Sequence, residues 1–120
     1  MRWFLIFTLA LCASAADFSG KWSGTFKAET GDAGSAYLVL KQSGNRITGS
    51  GGPDADTQWP GLTGTITGSK LSFQVTSADN GTIYKCSLVL EGDHLKGEVL
   101  FTRPEAQEMK ATLDLTRVAQ

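Results

Sequence analysis

The chain has 120 residues, 11 Lys and Arg against 12 Asp and Glu, a net charge of −1 and 41% hydrophobic residues. Near-neutrality without a charge run or basic stripe excludes nucleic acid and anionic membrane surfaces as partners. Such a length carries one domain with one core.

The first sixteen residues differ from the rest. Met1-Arg2 is a short positive start, Trp3 to Leu11 is an apolar run interrupted by Thr8, and Ala13-Ser14-Ala15 supplies small residues for a signal peptidase. These features predict a signal peptide over 1–16, cleaved after Ala15 or Ala16, and an exported product, periplasmic or secreted. The run is shorter than the ~20 residues of a membrane-spanning helix, so no integral membrane segment is expected after cleavage. A lipid anchor on Cys12 is the alternative, but the bulky Leu11 before it fits the required pattern poorly. Cleavage leaves Cys86 as the single cysteine. An intramolecular disulfide is then excluded even in an oxidising compartment, and stability must come from packing.

From Asp17 to the end, apolar and polar residues alternate with period two, the signature of strands. Gly44, Gly68 and Gly92 are spaced by 24 residues, and each precedes Asn, Ser or Asp, then a basic residue or His, then Ile or Leu. Gly-Asn, Gly-Ser and Gly-Asp are hairpin-turn dipeptides. The repeat therefore predicts two strands and one tight turn per unit. Eight strands follow, near 20–28, 35–42, 45–51, 58–67, 70–77, 82–91, 94–102 and 107–117. The remaining connections, Glu29 to Gly34, Gly52 to Thr57, Ala78 to Gly81 and Arg103 to Ala106, are longer or carry breakers. In an up-and-down meander they gather at one end, with Pro53, Pro60 and Pro104, and the tight turns gather at the other.

Parity places Trp22, Gly24 and Phe26, Leu38 and Leu40, Leu71, Phe73 and Val75, Tyr84, Cys86 and Leu88, and Leu95, Val99 and Phe101 on one face. One-sided burial over eight strands predicts an all-β fold, an eight-stranded antiparallel up-and-down barrel occupying 17–120. Such a barrel is either filled by side chains or holds one small ligand. Inward Gly24, Gly49, Gly64 and Gly97 either leave space or permit tight strand coiling.

Gly20-Lys21-Trp22, opening the first strand, resembles the G-x-W signature of lipocalins and other calycins. The resemblance implies that Trp22 covers the closed end and that a basic residue just after the last strand packs across its ring. Arg117, ending Leu113-Asp114-Leu115-Thr116-Arg117, stands at the matching place. Asp93-His94 lies at the turn where lipocalins often carry a T-D-Y-like motif, with the Asp matching. In length and strand economy the chain is more similar to the avidin-like branch. A fold family says little about function.

No nucleophile–base pair, metal-ligand cluster, phosphate loop or cofactor motif can be assembled, so neither catalysis nor a cofactor is expected. His94, the single histidine, reads as a solvated turn residue without a partner. Cys86 reads as a core residue. Asp54 and Asp56 offer two carboxylates, too few for calcium unless Asp32 or Asp79 joins them. Asn80-Gly81-Thr82 fits a glycosylation pattern and equally an Asn-Gly turn, which is favoured. Phe26, Trp59, Tyr84 and Phe101, with Asp54, Asp56 and Arg103 around the rim, converge on the long-loop end. Aromatic walls with a few polar groups suit a small apolar or amphipathic ligand. The alternative is a structural or protein-interaction module with a solid core, using outward Tyr37, Val39, Ile83, Val89 and Leu100. The oligomeric state stays open.

Overall fold

The computed structural model describes residues 17–118; the leader read over 1–16, with Cys12, lies outside them. Eight strands, β1 (Gly20–Ala28), β2 (Ala33–Ser43), β3 (Arg46–Gly52), β4 (Trp59–Thr67), β5 (Lys70–Thr76), β6 (Ile83–Glu91), β7 (His94–Thr102) and β8 (Met109–Arg117), follow one another around a closed barrel. Every pair is antiparallel, and β1 pairs with β8 to complete the ring. Closure leaves no unpaired sheet edge to template association.

Two-residue turns join β2 to β3, β4 to β5 and β6 to β7. Gly44, Gly68 and Gly92 hold φ of 62°, 64° and 62° there. Positive φ at the first central position alone is the type II′ pattern, whose twist matches that of the flanking strands. These turns share one end, and the four other connections share the opposite end. The first of those is shorter than expected, because β2 begins at Ala33 and Ala28 N–H closes the turn on the Asp32 carbonyl at 2.8 Å. Asn80 is occupied within its own turn, its Oδ1 accepting from the Thr82 amide at 3.1 Å and from the Thr82 hydroxyl at 2.8 Å.

The core follows the alternating pattern, with Trp22, Leu62, Leu71, Leu88, Leu95 and Leu115 fully buried. The inward glycines serve strand coiling. A Cβ on Gly24 would stand 1.9 Å from the Asp114 carbonyl oxygen, and one on Gly64 would stand 2.1 Å from that of Ser72. Neighbouring backbone occupies the space a side chain would need, which is how a small barrel turns its corners.

At the tight-turn end Trp22 is sealed from solvent, and its Nε1 donates to the Phe18 carbonyl at 3.0 Å. Phe18 is itself fully buried. It precedes the first strand on the parity of Trp22, and the closed end of the barrel gives it a place to pack. Gln42 secures the segment by accepting from the Phe18 amide at 2.8 Å, and its own amide donates to Ser19 Oγ at 2.9 Å. On the outer wall His94 differs from expectation. Its Nδ1 lies 2.8 Å from Asp114 Oδ1 on the adjacent strand, so it has a carboxylate partner, in an exposed pair. The partner is 20 residues away and adjacent only because β7 and β8 pair.

Candidate functional site

The strand ends at the long-loop end border an open-mouthed cavity of about 230 Å³. Every strand contributes to its wall: Phe26 from β1, Ala36 and Leu38 from β2, Gly51 from β3 and Trp59 from β4. Phe73 and Val75 from β5, Tyr84 and Cys86 from β6, Val99 from β7 and Leu113 from β8 complete it. Pro53, in the β3–β4 connection, closes over one side. Among the described residues no charged side chain lines the cavity. Its volume exceeds the ~150 Å³ apolar void that admits benzene. It is smaller than the ~300–1,000 Å³ of sites for drug-sized ligands.

Tyr84 is the hub of the aromatic wall. Its ring stacks on Trp59 at 5.8 Å and 8°, lies 5.9 Å from Phe101, and meets the edge of Phe26 at 6.2 Å and 82°. Phe26 and Phe101 stand 5.6 Å apart. Phe101 packs behind this group without lining the cavity. Burial raises the Tyr84 hydroxyl above its usual range; the positive Arg103 opposes the shift and Cys86 adds to it. The Cys86 thiol, buried in the wall, is pushed up to about 12 by desolvation. A neutral thiol in apolar surroundings is inert as a nucleophile.

Trp59 reaches the interior through an irregularity. Gly49 pairs with Leu62 but Ser50 pairs with Pro60, so Gly61 is an extra residue on β4. Its φ is 87°. Strict alternation from inward Leu62 would turn Trp59 outward. The bulge shifts the parity by one and aims the indole inward, opposite Gly51. It also accommodates Pro60, which cannot donate to the ladder. The local signal was Pro60-Gly61 itself, a breaker pair inside a strand pattern. The Trp59 Nε1 is buried and has no hydrogen-bond partner. An unmet buried donor costs about 1–3 kcal/mol.

The rim carboxylates lie apart from the cavity wall. Asp54 is exposed, and its Oδ1 accepts from the amides of Asp56 at 3.0 Å and Thr57 at 2.8 Å. Asp56 is likewise exposed. Arg103 is exposed and absent from the wall, sensed there only through its charge on Tyr84. Among the described residues no group of three or more His, Cys, Asp or Glu converges as a metal site would require. Two side chains pin the β3–β4 connection instead. Ser35 Oγ donates to the Pro53 carbonyl at 2.6 Å, while Gln58 Nε2 donates to the carbonyls of Tyr37 at 3.0 Å and Asp54 at 2.9 Å.

No protein-family model and no curated protein matches the sequence. Among solved structures the chain is similar to EF1p2_mFAP2b, solved bound to DFHBI. The match has a TM-score of 0.66 and 14% identity, covering 83% of this chain and 93% of that one. At that identity the likeness establishes the barrel fold.

Proposed function

We propose that this chain is an exported, non-enzymatic barrel of the calycin kind that binds a small apolar or amphipathic molecule at its long-loop end. The observation that carries the reading is the cavity of about 230 Å³, walled by all eight strands and, among the described residues, free of charged side chains. A cavity with aromatic walls and few polar groups is suited to binding rather than to chemistry. That a barrel of the same fold was solved bound to DFHBI supports the reading.

The solid-core alternative draws less support. Its outward apolar residues are dispersed, and lysines flank most of them across the ladder. Val39 pairs with Lys21, Val89 stands between Lys70 and Lys96, and Leu100 stands between Lys85 and Lys110. Lysine stems cover such residues and break up an interface patch.

The test is uptake of toluene by the purified mature chain, read by amide chemical shifts, alongside native mass spectrometry of protein from its own host. Saturable shifts at Phe26, Tyr84 and Val99, or a bound small molecule, are expected. A homogeneous apo mass together with no saturable toluene shift overturns the proposal.

A further inference from the structure

We propose that the occupant is a cationic amphiphile, a small apolar or aromatic group carrying one amine, with its apolar body in the cavity and its ammonium in the water at the mouth. The proposal rests on the binding reading above and adds the charge of the ligand. It follows from where the chain keeps its carboxylates.

Seven carboxylates stand in the four connections at the open end. Glu29 and Asp32 lie between β1 and β2, and Asp54 and Asp56 between β3 and β4. Asp79 lies between β5 and β6, and Glu105 and Glu108 between β7 and β8. All seven are exposed. Arg103 is the single cation in those connections. Over the rest of residues 17–118 the balance reverses, with nine Lys and Arg against five Asp and Glu. A near-neutral chain thus has an acidic open end and a basic remainder. Lys27 and Lys110, exposed on the outer wall near that end, do not cancel the excess, since with Arg103 they make three cations against seven carboxylates. Among the described residues none of the seven forms an ion pair; the pair that does form, His94 with Asp114, belongs to the tight-turn end.

Charges of one sign around an opening in a low-dielectric body add up in the water at its mouth and raise the local concentration of the opposite charge. The cavity behind that mouth is apolar, and a charge driven inside would lose its water without gaining a counter-ion. An amine on a short arm meets both conditions. Its ammonium stays outside in the negative field, while its apolar part fills a space that exceeds the ~150 Å³ void admitting benzene. A carboxylate at the same point would be repelled. Phe26 and Tyr84, half-buried in the wall, act in the same direction, because aromatic faces attract cations. Arg103 alone opposes, and its charge is felt at Tyr84.

2-Phenylethylamine, 2-phenylethanol and phenylacetate share a carbon skeleton and present a positive, a neutral and a negative group near neutral pH. In calorimetric titration of the mature chain at about 10 mM salt, the amine is expected to bind at least about fivefold more tightly than phenylacetate, with the alcohol between. Raising salt to about 1 M, where charges act over only about 3 Å, should at least halve the gap. Joint replacement by Asp56→Asn, Asp79→Asn, Glu105→Gln and Glu108→Gln, all at exposed positions, should do the same while leaving toluene uptake unchanged. Arg103→Gln should widen the gap. Binding of 2-phenylethanol with equal binding of amine and phenylacetate, or with phenylacetate the tighter, overturns the inference and leaves the binding reading standing. A gap undiminished in the fourfold variant overturns the assignment to these carboxylates. Binding of none of the three probes, nor of toluene, overturns both the inference and the reading beneath it.

Discussion

Arg117 holds its guanidinium carbon 4.4 Å from the centroid of the Trp22 ring. The same side chain donates to the Ser19 carbonyl at 2.8 Å and to the Asp17 carbonyl. One cation thus ties the end of β8 to the segment preceding β1, across the face of the Trp that seals the closed end.

Loss of that tie should be measurable without loss of the fold. Cation–π contacts contribute about 0.5–2 kcal/mol, and hydrogen bonds from charged groups about 1.5–3 kcal/mol. Exposure of Arg117 to solvent discounts the sum of these contributions. Arg117→Ala is expected to destabilise by about 1–3 kcal/mol, lowering Tm by roughly 5–15 °C for a domain of this size. Thermal unfolding followed by circular dichroism checks this, and Arg117→Lys should recover part of the loss. An unchanged Tm in Arg117→Ala would show the contact to be energetically idle.

Two inward glycines should respond oppositely to Ala. A Cβ on Gly64 would collide with the Ser72 carbonyl oxygen at 2.1 Å, which is backbone and cannot yield cheaply. Gly64→Ala should cost about 3 kcal/mol or more, or prevent folding. A Cβ on Gly51 would meet Leu38 Cδ2 at 2.8 Å, the mobile end of a side chain, inside the cavity wall. Gly51→Ala should therefore fold with a stability change under about 1 kcal/mol while weakening toluene uptake. Denaturant midpoints and the toluene titration together separate the two cases.

Gly61 aims Trp59. A β-branched residue there would have to adopt the φ of 87° that glycine holds without penalty. Nothing lies within 4 Å of a Cβ at this position, so the cost would be conformational strain alone. Gly61→Val should destabilise by about 1–2 kcal/mol and raise the solvent exposure of Trp59. In a Trp22→Phe background, fluorescence emission and acrylamide quenching of Trp59 report it. A well-buried Trp59 in Gly61→Val would show that the bulge does not set the direction of the indole.

Alkaline stability follows from Cys86 and Tyr84. The folded state keeps the Cys86 thiol protonated to about pH 12, and burial raises Tyr84 as well. In the unfolded chain the thiol ionises near about 8.5 and the phenol near about 10. Above those values the unfolded state releases protons that the folded state retains. The stabilising contribution is thus complete below about pH 8 and is lost as pH rises toward the folded values. Each retained proton gives a slope of up to about 1.4 kcal/mol per pH unit. Urea midpoints between about pH 7 and 11 should fall along this course, and Cys86→Ala should flatten its first part. A thiol reagent at about pH 8 should label Cys86 only as the chain unfolds.

The barrel was legible because its signals are local. Alternation from Lys21 to Thr116 sorts inside from outside wherever one face is buried, and Gly44, Gly68 and Gly92 mark turns whose geometry demands positive φ. With three tight turns set 24 residues apart, the direction of every strand and the crowding of the longer loops at one end follow from counting. Trp22 and Arg117 stood out through the resemblance of Gly20-Lys21-Trp22 to a known signature, which implies a basic residue after the last strand.

What depended on the closed barrel was every relation between residues distant in the chain. Asp54, Asp56 and Arg103 belong to the right end, yet lie outside the cavity wall, because a loop position does not reveal where its side chain turns. Inward glycines were ambiguous until the neighbouring backbone was seen to occupy their space. The His94–Asp114 pair required β7 beside β8. Phe18 required a closed end to plug. Number, order and direction of the strands were written in the residues, since turn chemistry and period-two burial act over a few residues. That the barrel keeps a cavity, and that the Gly61 bulge turns Trp59 into it, emerged with the closed ring, since both depend on packing around all eight strands.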